Sequence, residues 1–382
     1  MHASLLEFEK PLYTNTHMKT IQHRYFRLVL ALLIFPFALN AQNVLVISGG
    51  GARGAWGGGV AEALHEHKGR NYTKVIGTST GSLLMPLILL NEFEELKRIY
   101  TSVRQKDIFN VNPFKTKGKK KGSLKVGKAV WRIIWGKKTL GKSRRLRRLI
   151  KGCFSKDRFE KMRREGKEGI STVVNVTTNK THYKSTNSHV YKDMIDWIWV
   201  SCNQPIFMSL YHTGRKKRDR EYWVDGGIKE FVAIDKAIEL AAKNGDTEVD
   251  VIINNFSGSL DTAWRSPGIL KLLFRTLDIY STDVRENDVR VGELLAALTQ
   301  AEDEFLKESG GDAAAAARRG LKLNIYFMPE RLVRFMPNSL LFEKDKMLQL
   351  WTEGRNIFAP GSPYKCKEFK VSKDTKIRSG AN

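Results

Sequence analysis

The sequence predicts an α/β protein: a three-layer α/β/α domain built on a mostly parallel central sheet. Three observations lead there. The stretch "NVLVIS" (43–48) is continuously apolar, as expected of a strand covered on both faces. Such strands alternate with helical stretches, and a strand–helix–strand connection implies a right-handed unit with parallel strands. Glycine-rich turns stand where strand hands over to helix, at 49–54 and again at 77–81.

Taken in order, the helical stretch "GGVAEALHEH" (58–67) follows the first strand, and "TKVIGTS" (73–79) is the second. "TGSLLMPLILL" (80–90) is too long and too apolar for a strand and reads as a buried helix. Further strands are expected at 171–178, 221–225, 248–255 and 321–328. Helices fit 191–202, 232–243, 264–280, 290–307 and 341–354. A basic stretch at about 105–155 and the alanine-rich 310–320 read as insertions or loops. The domain is expected over 43–357, with a polar tail at 358–382.

Composition narrows the class. With 382 residues, 42% hydrophobic and 10% aromatic, the chain can bury a sizeable core, and full disorder is excluded. Net charge is +25, but 16 Lys and Arg and no acidic residue fall between Lys115 and Lys151, leaving +9 on the rest. One segment, not the whole surface, calls for an acidic partner. Cys153, Cys202 and Cys366 form no CxxC pair and read as buried or free thiols. No spaced Cys/His cluster or calcium loop is present in the sequence, so neither metal nor cofactor is expected.

Residues 18–41, "MKTIQHRYFRLVLALLIFPFALNA", place a short basic section before an apolar run and end in a small residue. This is the layout of a secretory signal peptide cut after Ala41, with Met18 as the true start. The apolar run of about 12 residues is short for a bilayer span. An exported protein, periplasmic or secreted, is therefore expected, with a retained N-terminal anchor as the alternative.

"VLVISGGGARGAWGGG" (44–59) bares backbone N–H groups at a strand–helix junction, a place that binds negative charge. Gly49, Gly51 and Gly54 match GxGxxG, but a dinucleotide site requires an acidic residue after the second strand. There the chain has Gly77, Thr78 and Ser79. No GK[ST] closes the glycine run, so a P-loop is excluded too. The second strand instead ends in "GTSTG" (77–81), a GxSxG elbow that lifts Ser79 above the sheet between Gly77 and Gly81. A serine nucleophile needs a base and donors for the oxyanion. The glycine loop, which leaves the neighbouring strand at the same sheet edge, supplies the donors.

For the base, no histidine follows His212, so the late histidine of an α/β-hydrolase is missing. His182, His189 and His212 lie in polar, irregular settings. Asp225, at the end of the strand "EYWV" and before Gly226 and Gly227, is the better candidate. An ordinary Asp-Gly-Gly turn is the plain alternative.

GGGARG (49–54), GTSTG (77–81) and DGG (225–227), in this order, resemble the patatin-like phospholipase family. "SCNQPIFMSL" (201–210) and "VAIDKAIELAAKNGDTEVDVIIN" (232–254) resemble the family's flanking segments. The resemblance implies a patatin-like fold and calcium-independent lipid acyl hydrolysis by a Ser–Asp dyad. Ser79 would be the nucleophile and Asp225 the base; Gly50 and Gly51 would be oxyanion donors, with Arg53 steadying the loop or adding positive field. The chain departs from the family pattern at Thr80 and in "IKEFVAI" (228–234), where a polar turn is usual.

In the basic block, Trp131 and Trp135 are four residues apart, with Ile134 beside them, so a helix brings them onto one face. Apolar side chains ringed by Lys and Arg describe a helix lying in an anionic membrane surface. Nucleic-acid binding and a solvated insertion are the competing uses. The sequence thus predicts a serine acyl hydrolase acting on phospholipids or related glycerolipids at an anionic membrane surface, with no nucleic-acid partner. A non-catalytic membrane-surface protein on a hydrolase-like fold is the alternative.

Overall fold

The unbroken apolar character of the first strand is explained by where its side chains go. In the computed structural model, β1 (Asn43–Ile47) sends Leu45 and Ile47 into one hydrophobic core and Val44 and Val46 into another. The structure describes residues 43–244, 248–258, 269–308, 321–362, 364 and 366–369. The expected signal segment 1–41, the alanine-rich 310–320 and most of the expected tail lie outside these.

After β1 come α1 (Gly54–Lys68), β2 (Tyr72–Thr78), α2 (Thr80–Leu89), α3 (Phe93–Ser102), α4 (Gln105–Ile108), α5 (Val126–Ile134), α6 (Arg144–Cys153) and α7 (Lys156–Arg164). Then follow β3 (Glu168–Asn175), β4 (Lys180–Ser185), α8 (Tyr191–Ser201), β5 (Tyr211–Thr213) and β6 (Glu221–Asp225). The chain continues through α9 (Ile234–Asn244), β7 (Glu248–Ile253), α10 (Ile269–Glu308), β8 (Lys322–Phe327), α11 (Glu330–Phe335), α12 (Lys344–Arg355) and β9 (Lys367–Phe369). The sheet order is β5-β6-β3-β2-β1-β7-β8-β9, with β4 on β3. The central strands β3, β2, β1, β7 and β8 are parallel, and the outer pairings are antiparallel.

Three layers follow from strand alternation. One face of the sheet packs under α1, α2, α3 and α12 through Trp56, Leu64, Leu84, Ile88, Leu350 and Trp351. The other packs under α9 and α10 through Ile234, Ala237, Ile238, Val289 and Ala296. The second glycine run of the opening motif serves this packing. A Cβ on Gly58 would lie 2.2 Å from the Trp351 ring, and one on Gly59 would lie 2.1 Å from the Trp351 carbonyl oxygen. Helices α1 and α12 therefore cross at backbone contact, closed by the Trp351 indole N–H donating to Glu62 at 2.6 Å.

Several elements differ from expectation for local reasons. β3 starts at Glu168 and stops at Asn175, whose side chain accepts from the N–H groups of Thr177 and Thr178 and turns the chain into β4. That hairpin strand, "KTHYKS", is polar and only half-buried, so hydrophobic pattern did not reveal it. The helices expected at 264–280 and 290–307 are one helix from Ile269, running unbroken through the polar "STDVRENDV" (281–289); residues 264–268 lie outside the described ones.

The basic block is not a loop. It carries α4, α5 and α6, and its Phe109, Phe114, Leu124, Leu146 and Ile150 join the core. Within the expected tail, Lys367–Phe369 adds an edge strand to β8, and Tyr364 and Cys366 pack against the core. Among the described residues no helix is long and apolar enough to cross a membrane.

Because rigid backbone opposes Gly59, Gly59→Ala is expected to lower stability by about 1–3 kcal/mol despite the better helix propensity of alanine. Urea denaturation of the two proteins measures it.

Candidate active site

β3 brings the two central side chains together. One edge of β3 pairs with β4 over Ile170–Asn175. The other is shared: β2 occupies it as far as Thr78, opposite Thr172, and β6 occupies it from Asp225, opposite Val173. β2 runs with β3 and β6 runs against it, so the two strands meet head to head. Neither can continue in the sheet. β2 leaves through Ser79 into α2, and β6 leaves through Gly226 into a short 3-10 turn.

Ser79 sits at φ 55°, ψ −115°, a conformation that costs a non-glycine residue about 1–3 kcal/mol and persists only where its surroundings impose it. Here they do. A Cβ on Gly77 would lie 2.3 Å from the Gly81 carbonyl carbon, and one on Gly81 would lie 2.2 Å from the Ile47 carbonyl oxygen. The turn is thus too tight for side chains on either flank. The Ser79 N–H donates to Ser201 Oγ at 2.9 Å, and Ser201 Oγ donates to the Thr172 carbonyl at 2.7 Å. The buried Cys202 thiol donates to the Ser79 carbonyl at 3.1 Å. Burial, with Asp225 nearby, pushes that thiol well above its usual range.

The Asp225 carboxyl accepts a hydrogen bond from the Gly227 N–H at 2.8 Å, and the neighbouring Ser79 side chain also favours its charged form. The Asp225 N–H donates to the Asn203 carbonyl at 3.1 Å. Residues 201–203 therefore hold both partners. Burial pushes the Asp225 carboxyl up to about 7 from 3.8, against the Ser79 side chain and the Gly227 N–H, which favour its charge. "IKEFVAI" holds the turn from the far side: the Phe231 and Val232 N–H groups donate to Asp288 on α10 at 2.7 and 3.0 Å. The Phe231 ring lies 3.3 Å from the position of a Cβ on Gly49.

The glycine loop faces the elbow. A Cβ on Gly49 would come within 3.4 Å of Ser79 Cβ, and one on Gly54 within 2.4 Å of Thr80 Cγ2. Gly51, at φ 53°, has its carbonyl clamped by Thr80 Oγ1 at 2.8 Å and by the Tyr100 hydroxyl at 2.5 Å. Thr80, the departure from the family pattern, thus ties the two motifs together. Among the described residues, no acceptor takes the N–H groups of Gly50 or Gly51. The Arg53 guanidinium donates to the Met336 carbonyl at 3.0 Å and the Pro337 carbonyl at 2.9 Å. Of its two expected roles, this geometry serves the steadying of the loop.

The other sequence candidates lie elsewhere. His182 packs edge-on against Trp223, His189 bonds Ser188 and the Ser185 carbonyl, and His212 lies against Tyr222. Trp131 and Trp135 do share a helix face, with ring centroids 5.4 Å apart. An apolar cavity of about 60 Å³ lies between α2, α3, α6 and α8, lined by Leu83, Leu87, Ile99, Tyr100, Leu149 and Ile198; neither Ser79 nor Asp225 lines it. Among the described residues no group of three His, Cys, Asp or Glu could hold a metal. Sequence reasoning missed Tyr100, Ser201, Cys202, Asn203 and Asp288. The resemblance of 201–210 marked the segment of Ser201, Cys202 and Asn203 but not their roles, since each of the five acts through contacts 20 or more residues away in the chain.

Residues 45–238, just over half of the chain, match the model of a family described as patatin-like phospholipase. No curated protein sequence matches the chain. Among solved structures it is similar to VipD from Legionella pneumophila, at 15% identity over 82% of this chain and 67% of that one, with a TM-score of 0.31.

The raised Asp225 carboxyl carries a stability consequence. The folded state keeps this proton up to about pH 7, whereas an unfolded aspartate loses it near 3.8, so stability falls as pH rises between the two. Asp225→Asn cannot ionise. At pH 8 it is expected to be more stable than the wild type, by up to about 4 kcal/mol, with the gap narrowing towards pH 4. Denaturant melts across this range measure it.

Proposed function

This chain belongs to the patatin-like phospholipase family and is a lipid hydrolase, and we propose that it cleaves acyl esters of phospholipids or related glycerolipids with Ser79 as nucleophile and Asp225 as base. The observation that carries this reading is the meeting of Ser79 and the buried Asp225 where β2 and β6 end against each other on one edge of β3. Ser79 Oγ attacks the ester carbonyl carbon and its proton passes to Asp225. The carbonyl oxygen becomes negative and is met by the N–H groups of Gly50 and Gly51, a loss of either costing about 3 kcal/mol of barrier. Asp225 returns the proton to the departing alcohol. It then takes a proton from water, which attacks the acyl carbonyl, and returns that proton to Ser79 Oγ as the fatty acid is released. The clamp on the Gly51 carbonyl from Thr80 and Tyr100 supports this reading, because it orients the loop before substrate arrives.

A fluorophosphonate probe is expected to label the wild type and not Ser79→Ala; equal labelling of both would remove Ser79 from the mechanism. Asp225→Asn is expected to lower kcat/KM on a soluble short-chain ester by about 10²–10⁴-fold. Since the base must be ionised, wild-type kcat/KM is expected to rise with pH and level off above about 7. Full activity in Asp225→Asn would return the base to a histidine.

We also read the protein as exported, from the basic-then-apolar layout of residues 18–41. N-terminal sequencing of material recovered outside the cytoplasm is expected to begin at Gln42. Retention of residues 18–41 would instead mean an anchored form.

A further inference from the structure

We propose that α5 and the turn after it form a docking element that seats this protein on an anionic lipid bilayer, apolar side chains among the acyl chains and cations at the headgroups.

The helix gives the core a single residue and water the rest. Only Ala129 of α5 is buried. Val126, Val130, Trp131, Ile133, Ile134 and Trp135 all stand exposed, Trp131 at 61% and Ile134 at 73%. At 100° per residue they fill one broad arc, with Lys128 and Arg132 at its border. Soluble proteins rarely leave such a contiguous patch open to water without a use for it. Tryptophan pairs and aliphatic side chains rimmed by cations match the boundary between headgroup and hydrocarbon.

Charge selects the occupant. The patch lies in the stretch from Lys115 to Lys151, where 16 Lys and Arg stand without one Asp or Glu. Within the fold, Lys121 pairs with Glu343 and Arg147 with Asp196, which leaves the stretch strongly positive. Phosphates on nucleic acid would satisfy the cations, but Ile133, Ile134 and Val130 gain nothing from them. A bilayer satisfies both sets.

The element is keyed to the candidate active site. After the docking turn, the Leu140 N–H donates to the Ile206 carbonyl at 2.7 Å. The fully buried Ser143 donates through Oγ to Asn203 Oδ1, and its carbonyl accepts from the Trp199 indole at 2.9 Å. Asn203 in turn accepts the Asp225 N–H. The docking helix therefore hangs from the segment that holds Ser79 and Asp225.

The docking claim rests on the hydrolase reading only for its purpose, and it is tested apart from turnover. The chain carrying Ser79→Ala is floated with vesicles of phosphatidylcholine, with or without phosphatidylglycerol. Binding to the anionic vesicles is expected, weakened by added salt. Adding Trp131→Ala and Trp135→Ala is expected to weaken it by about tenfold or more, and Lys128→Gln with Lys137→Gln also weakens it. Far-UV circular dichroism unchanged from the parent shows that the variants are folded. In the wild-type background the tryptophan variant is expected to keep its turnover of a soluble ester. Binding that is indifferent to the tryptophan changes, or that a nucleic acid abolishes in competition, would overturn the proposal.

Discussion

Two strands end against each other on one edge of β3, and the rest of the site follows from that collision. Strand hydrogen bonding is exclusive: one edge of β3 offers each backbone group to one neighbour. β2 uses that edge through Thr172 and β6 takes it from Val173 in the opposite direction. Both chains must leave the sheet at the same place. The residues at the exits, Ser79 and Asp225, are therefore neighbours, although 146 positions separate them in the sequence.

The collision imposes costs that the surroundings absorb. Ser79 is held at a positive φ, and a carboxylate is buried with few donors. Residues 201–203 offset both, giving the Ser79 N–H an acceptor at Ser201 and the Asp225 N–H one at Asn203. Asp288 holds the far side of the Asp225 turn, and Tyr100 with Thr80 holds the glycine loop. Four separate parts of the chain thus fix one small volume, the kind of preorganisation that acyl transfer requires.

The same segment joins the site to the surface. Ser143, the residue just before α6, bonds the side chain of Asn203, whose backbone carbonyl accepts the Asp225 N–H. The basic block is therefore structural at its ends, through Phe109, Phe114, Leu146 and Ile150, and its large exposed apolar side chains stand in the middle, from Val126 to Trp135. This division explains why so charged a stretch folds at all: its interior residues bury apolar area while its cations remain at the surface.

The three-layer α/β class, the elbow at Ser79, the glycine loop and Asp225 were legible in the sequence because each has a local cause. A strand buried on both faces must be apolar throughout, and a turn that admits no Cβ must be glycine. The polar hairpin strand β4 and the edge strand β9 were not legible, since a partly solvated strand needs no apolar pattern. Nor was the unity of α10, whose polar stretch buries Thr282, Arg285 and Val289 through tertiary contacts that no local pattern announces. Tyr100, Ser201, Asn203 and Asp288 belong to the same class of facts. Their roles come from contacts across the fold, and a hydroxyl, amide or carboxylate looks the same in a sequence whether it faces water or a buried turn. The chain by itself determined which residues could do the chemistry; only the shared edge of β3 decided that they meet, because strand pairing is a property of the sheet and not of any segment within it.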